Sequence, residues 1–400
     1  MPILKCITCG REYPEEVRYT CDCNGLLEVK YEFDRINFDL NEARKIPISV
    51  WRYEKLLPAK KNVSLQEGGT PMYECKNLSK EFNIKLYVKC EGANPTGSFK
   101  DRGMTVGVSK AIEFNSCTVA CASTGNTSAS LAAYSARSQL ACLVLIPGGK
   151  IAYGKLAQAL IHGAKVIAIS GSFDDAMSMV MEMCDKYKIY LLNSINPYRL
   201  EGQKTLGYEI YDQLNHIPDR VILPVGNAGN ISAIWKGLTE FYELGIIDEL
   251  PIMSGIQAEG SKPVVDMFKR HLEKLIPEKH PETLATAIRI GNPISWQKAI
   301  KAIYDSKGLA ESVTDEEILN AQKLLARKEG IFVEPASAAS IAGFIKLIEN
   351  REIDKGEEVV CVTTGHGLKD PNTAIESCKG DLIEVNTSEE MKDYLGRINL

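Results

Sequence analysis

Lys100 stands in "GANPTGSFKDRGM" (residues 92–104), between a turn and the start of a helix. Pro95 and Gly97 fix the turn, and "SFKDRG" opens the helix with Ser98 in the N-cap position. A lysine is a nucleophile only when part of it is deprotonated, and partial burial achieves that. The setting points to a lysine that meets an aldehyde and forms a Schiff base. The plain alternative is a solvated lysine at a helix start, which needs none of these neighbours.

Three further loops offer binding chemistry. "ASTGNTSAS" (122–130) follows an expected strand and puts Ser123, Thr124, Asn126 and Thr127 at a helix N-terminus, a setting suited to a carboxylate. "PVGNAGN" (224–230) lets backbone N–H groups at Gly226, Ala228 and Gly229 approach a phosphate closely. It is neither a Walker loop nor a GxGxxG fingerprint. "TTGHGLKD" (363–370) supplies the hydroxyls of Thr363 and Thr364, and its His366 reads as structural. In "SINPYRLEGQKT", Arg199 could clamp a phosphate bidentately or simply pair with Glu201. An ordinary cap or tight turn accounts for each loop alone, and "LQEGGTP" and "QAEG" add little. Together the loops suit a ligand with an aldehyde, a phosphate and a ring nitrogen, and pyridoxal phosphate is the ordinary cofactor with all three.

The elements that must position these loops are short apolar runs at 85–90, 117–122, 141–146, 164–169, 189–194, 219–225 and 357–364. They are rich in Val, Ile and Leu without polar alternation, as parallel strands covered on both faces are. Helical patterns lie between them at 127–138, 152–162, 173–187, 202–214, 229–243, 314–328 and 336–349. The alternation gives an open α/β architecture, in which ligands bind beyond the carboxyl ends of the strands.

Length and charge bound the rest. A chain of 400 residues suits two domains and an appendage. A net charge of −5 leaves no basic footprint for nucleic acid. No apolar run is long enough to span a membrane, and "MPILKCITCG" lacks a signal-peptide core, so a cytoplasmic location is expected. Of the 12 cysteines, Cys6, Cys9, Cys21 and Cys23 form C-x2-C, eleven residues, then C-x-C. The first pair has zinc-ribbon spacing and the second is one residue short of it. A structural zinc and a metal-free hairpin with free thiols are the two readings. Cys117, Cys121 and Cys142 read as packing residues.

"GANPTGSFKDRGM", "ASTGNTSAS", "NPYRLEGQKT", "PVGNAGN", "QAEG" and "TTGHGLKD" together resemble the threonine synthases, pyridoxal-phosphate enzymes of the tryptophan-synthase-β fold type. The resemblance runs from about residue 65 to 370 and includes the "CITCG…CDCNGLLE" start. It implies fold type II, with two open parallel-sheet α/β domains and a zinc-ribbon-like element in residues 1–35. The large domain would take 36–104 and 201–400 and the small mobile one 105–200. Lys100 would carry the cofactor, Asn126 would meet its phenolic oxygen and Thr364 its ring nitrogen. Gly226, Asn227, Ala228, Gly229 and Asn230 would surround its phosphate. Ser123, Thr124 and Thr127 would hold the substrate carboxylate, and Asn193, Ser194, Arg199 and Asn227 the substrate phosphate. The implied reaction turns O-phosphohomoserine and water into threonine and phosphate, in a homodimer. The alternatives are a cysteate synthase acting on O-phosphoserine and sulfite, a serine or threonine dehydratase, or a non-catalytic pyridoxal-phosphate-binding regulatory protein.

Overall fold

The computed structural model describes residues 2–148, 153–171, 173–381 and 383–397. It opens with an antiparallel ribbon in which β1 (Ile3–Cys6) lies between β2 (Glu12–Tyr13) and β3 (Leu27–Lys30). Two strands of a larger sheet follow, β4 (Met72–Glu74) and β5 (Lys85–Cys90). The chain then builds a separate parallel sheet from β6 (Thr118–Ala122), β7 (Ala141–Pro147), β8 (Lys165–Ile169) and β9 (Tyr190–Leu191), in the order β8-β7-β6-β9. It returns to the larger sheet for β10 (Arg220–Pro224), β11 (Ile252–Ala258), β12 (Leu309–Val313) and β13 (Glu358–Thr363). That sheet runs β12-β11-β10-β13-β5-β4, parallel except for β4 at its edge.

All seven expected strands are present, and differences from the expected pattern have local causes. β8 was expected to be buried, yet it is an edge strand and mostly exposed. β11 and β12 escape a purely apolar pattern because each carries polar residues that find partners. Ser254 accepts from Arg220 Nη1 at 3.2 Å, and Glu311 accepts from Lys269 Nζ at 2.6 and 2.7 Å. The run 189–194 pairs only through Tyr190–Leu191, and Cys117 is exposed rather than packed. Residue 152 of the expected helix 152–162 lies outside the described residues. Among those described, no helix is long and apolar enough to cross a membrane.

Six helices place the loops: α1 (Lys100–Glu113), α2 (Asn126–Ser138), α3 (Pro197–Leu214), α4 (Gly229–Glu243), α5 (Trp296–Asp305) and α6 (Pro335–Glu349). α3 begins five residues before the expected 202, because Asn196 caps Tyr198 N at 2.9 Å and Pro197 suits the first turn. α1 and α3 cross closely through glycines. A Cβ on Gly202 would lie 1.8 Å from Arg102 O, and one on Gly103 would lie 2.9 Å from Arg199 O. This contact sets Arg199 against the start of α1.

The amino-terminal ribbon bridges elements of both larger sheets. Tyr19 Oη accepts from Leu191 N on β9 at 2.7 Å, and Tyr198 Oη donates to Glu16 O at 2.9 Å. On its other side Lys298 Nζ donates to Leu27 O at 3.2 Å and Tyr31 Oη to Glu201 at 2.7 Å.

Candidate active site

The residues around Lys100 anchor it in place. Asp101 is buried and accepts from Thr96 N at 2.7 Å, Thr96 Oγ1 at 2.6 Å and Ser130 Oγ at 2.5 Å. Burial pushes its carboxyl up to about 6 despite those bonds. Arg102, also buried, spans two carboxylates, bonding Glu91 at 2.6 and 2.8 Å and Glu209 twice at 2.7 Å. Lys89 Nζ completes the pair with Glu209 at 2.7 Å. Burial would raise the Glu209 carboxyl, but Arg102 and Lys89 outweigh it and hold it to about 2. Asp101 therefore ties the turn to the helix, and Arg102 bolts the helix to the larger sheet. Ser98 is not the N-cap: Phe99 occupies that position without a side-chain cap, and the Ser98 hydroxyl is buried without a partner.

Lys100 itself makes no hydrogen bond among the described residues, and its Nζ lies 4.3 Å from the Phe99 ring centroid. Burial is the main reason its amine drops to about 7; Arg199 pushes the same way and Glu334 partly opposes. A lysine so placed is half neutral near neutral pH.

The other predicted residues converge on the same strand ends. The Lys100 loop bridges the loop after β13, with Phe99 N donating to Thr364 O at 3.0 Å and Ser98 paired to Gly365. The Thr364 hydroxyl meets Ser337 Oγ at 3.0 Å, whereas Thr363 bonds Lys89 O at 3.2 Å on the opposite face. His366 is structural, its Nδ1 accepting from Leu368 N at 3.1 Å. At the start of α2, Ser123 accepts from Gly125 N at 3.2 Å, Thr124 is exposed and Thr127 half-buried. Asn126 donates through Nδ2 to Glu334 at 3.0 and 3.3 Å.

The cradle at 226–230 turns through Ala228 at φ +63° into α4. Its Gly229 packs beside α3, where a Cβ would meet Leu200 at 3.3 Å. Asn230 is buried with both its amide atoms unpartnered, as are Nε and Nη1 of Arg199. Unpaired buried polar groups of this kind are costly, and water, an ion or a ligand would satisfy them. Burial lowers the Arg199 guanidinium to about 10, which still leaves it charged near neutral pH, and an anion beside it would offset the cost of burying that charge. Asn227 donates to Ser194 Oγ at 3.5 Å and accepts from Ile294 N at 3.2 Å, joining the smaller sheet to the larger. Asn193 is committed elsewhere, since its carboxamide grips both backbone groups of Ala122 at 2.9 Å.

Sequence reasoning missed three residues here. Glu334 sits before a proline in "VEPASAAS", a signal available as an acidic helix start. Ser295 stands directly before α5, yet its buried hydroxyl caps nothing and has no partner. Lys369 donates to Thr96 O at 2.9 Å and bonds Gln158 in the helix between β7 and β8, so it ties the Lys100 loop to the smaller sheet's side. "LQEGGTP" resolves as structure, with buried Glu67 accepting from Trp51 Nε1 at 3.0 Å and Tyr134 Oη at 2.6 Å.

In the ribbon the sulfurs of Cys6, Cys9, Cys21 and Cys23 lie within 4.8 Å of one another, so the four could hold a metal ion. Cys6 and Cys23 are 3.6 Å apart and Cys9 and Cys21 3.5 Å.

Residues 63–365 match the family described as "Pyridoxal-phosphate dependent enzyme". The chain is 64% identical to the threonine synthase of Methanocaldococcus jannaschii, covering 93% of this chain and 94% of that one. It is 61% identical to the threonine synthase of Methanosarcina acetivorans, covering 94% of each. Among solved structures it resembles threonine deaminase isoform 2 of Solanum lycopersicum, with a TM-score of 0.68 and 20% identity over 86% of this chain and 95% of that one. Maize serine racemase gives a TM-score of 0.68 and 18% identity over 86% and 97%. At such identities these two likenesses speak for the fold.

Proposed function

The chain belongs to the threonine synthases within the pyridoxal-phosphate dependent enzymes, and from that premise we propose how its own residues convert O-phosphohomoserine and water into threonine and phosphate. The observation that carries the reading is the pairing of a buried, half-neutral Lys100 with a buried Arg199 whose Nε and Nη1 lack partners. A dehydratase has no use for a second phosphate site.

The residues fit the cofactor. Unpartnered Asn230 and the left-handed turn at Ala228 form a cradle for its phosphate, with Gly226, Asn227 and Gly229 giving close backbone approach. Thr364 would face the ring nitrogen with a neutral hydroxyl, and Asn126 the phenolic oxygen. When bound, pyridoxal phosphate withdraws electrons from the substrate skeleton and so weakens bonds at Cα, Cβ and Cγ in turn. Lys100 would remove the Cα proton and later carry protons to and from Cβ and Cγ. Arg199, Ser194 and Asn227 would hold the leaving phosphate, and Asn193 would hold the loop that carries Ser194. Ser123, Thr124 and Thr127 would grip the carboxylate at the start of α2. Phosphate departs from Cγ with its bridging oxygen, and water supplies the hydroxyl at Cβ.

The test is phosphate release from O-phosphohomoserine against release from O-phosphoserine with sulfite. Turnover of the second pair alone would make the protein a cysteate synthase, and turnover of neither a binding protein. The same reading gives the smaller sheet, within residues 105–200, a closing motion on substrate against a large domain of 36–104 and 201–400. Identical solution-scattering profiles with and without a substrate analogue would refute that motion. The ribbon in residues 1–35 would hold zinc, since four thiolates about 2.3 Å from one ion lie about 3.8 Å apart. Less than a tenth of an equivalent of zinc in purified protein would refute this. A cytoplasmic homodimer completes the proposal by analogy with the fold, and a monomer mass in sedimentation would refute the dimer.

A further inference from the structure

Among the described residues Glu334 is the carboxylate that acts on Lys100, and the reaction described above gives it no part. It occupies the N-cap position of α6, but its side chain caps nothing there. The carboxylate instead reaches across to α2 and accepts from Asn126 Nδ2 at 3.0 and 3.3 Å. Because a carboxylate can only accept, this contact decides which way the Asn126 amide faces. The second N–H of Nδ2 is then left for the oxygen of a bound ring. The backbone is fitted to the same end: Glu334 N donates to Gly365 O at 3.1 Å, and a Cβ on Gly365 would lie 2.4 Å from Glu334 Oε1. Glycine after Thr364 therefore makes room for this carboxylate.

We propose that Glu334 is a positioning residue, which orients Asn126 and supplies the negative charge that keeps a proton on the linkage between Lys100 and the cofactor. The inference rests on the reading that Lys100 carries pyridoxal phosphate. The charged groups facing the pocket are Lys100 on α1, Arg199 on α3, Lys369 from the segment after β13 and, beyond Lys369, Asp101. Lys100 and Lys369 thus share the Glu334 carboxylate, while Asp101 acts on Lys369 as well. An opposite charge within a few ångströms favours the protonated form of an amine-derived group, so its removal lowers the pH at which the proton leaves. Asn126, freed from the carboxylate, would also be able to turn its carbonyl towards the ring oxygen and repel it.

The experiment is a pH titration of the visible absorption band of the purified holoenzyme, without substrate, for wild type, E334Q and E334D. In E334Q the midpoint should fall by about one pH unit or more. E334D keeps the charge but draws it back by one methylene, so a smaller fall is expected. Circular dichroism establishes that each variant is folded. An unchanged midpoint in folded E334Q overturns the proposal, and if that variant does not fold, an unchanged midpoint in E334D overturns it. A wild type with no visible band would instead defeat the assignment of Lys100 as the cofactor's anchor.

Discussion

Replacing Gly202 with alanine pits helix propensity against packing. In an open helix the change would stabilise by roughly 1 kcal/mol. Here the new Cβ would lie 1.8 Å from Arg102 O, 2.7 Å from its carbonyl carbon and 3.0 Å from Gly103 Cα. Ordinary contact begins near 3.5 Å, so α1 and α3 would have to part by about 1.7 Å at that point. Overpacking of this kind costs about 1–3 kcal/mol, which in a 400-residue chain lowers the melting temperature by only a few degrees. The effect on chemistry is larger, because Lys100 and Arg199 sit on the two helices that separate. A displacement of about 1 Å can cost roughly 100-fold in rate. The assays are thermal unfolding of the holoenzyme and steady-state phosphate release. We expect kcat/KM to fall about 100-fold with a melting temperature a few degrees lower. A variant that melts higher and works within about twofold of wild type would show that the crossing does not set the site, and the reasoning would fail.

Other outcomes follow from the same geometry. Lys100 attacks only as the neutral amine, whose fraction rises with pH, so cofactor uptake by cofactor-free protein should reach half its maximal rate near pH 7 and level off above pH 8. Uptake that keeps rising to pH 10 would indicate a solvated lysine. Because this amine is lowered from 10.5 to about 7 on folding, it should also make the cofactor-free protein more stable as pH rises between those values, as stability curves in urea would register. Thr364→Asp should create racemised or transaminated side products visible by chiral chromatography, since a charged partner makes the ring a stronger electron sink; their absence counts against a role for the neutral hydroxyl. A chelator that strips the zinc proposed for the ribbon should raise KM for the phosphorylated substrate more than it releases cofactor, because the ribbon holds Tyr198 beside Arg199. Equal loss of both would place the ribbon's influence elsewhere.

The parallel strands and the loops beyond them were legible because both obey local rules: unbroken apolar runs, and small or hydroxyl residues at strand ends. β11 and β12 were not, because Ser254 and Glu311 are acceptable in a sheet only once distant Arg220 and Lys269 reach them. The site shows the same division. Among the proposed site residues, Lys100, Asn126 and the 226–230 loop stand out by their neighbours in sequence. Glu334 lies 208 residues from Asn126 and becomes a site residue only through their contact. Asn193 is the converse case. Its type and position suit phosphate binding, but the Ala122 backbone occupies the side chain. Ser98 looks like a cap by sequence, and only the bridge to Gly365 reveals why another residue takes that place.

The ribbon leaves the ribosome well before the residues that anchor it, Leu191, Tyr198, Glu201 and Lys298. Leu27 must wait for Lys298, 271 residues later, which at about 5–20 residues per second is a delay of about 14–54 s. Strands of two to four residues do not persist alone for such a time. Four sulfurs drawn from the first 23 residues could be cross-braced by an ion almost as soon as they emerge, and the nascent ribbon would then keep its shape until the rest of the chain arrives to receive it.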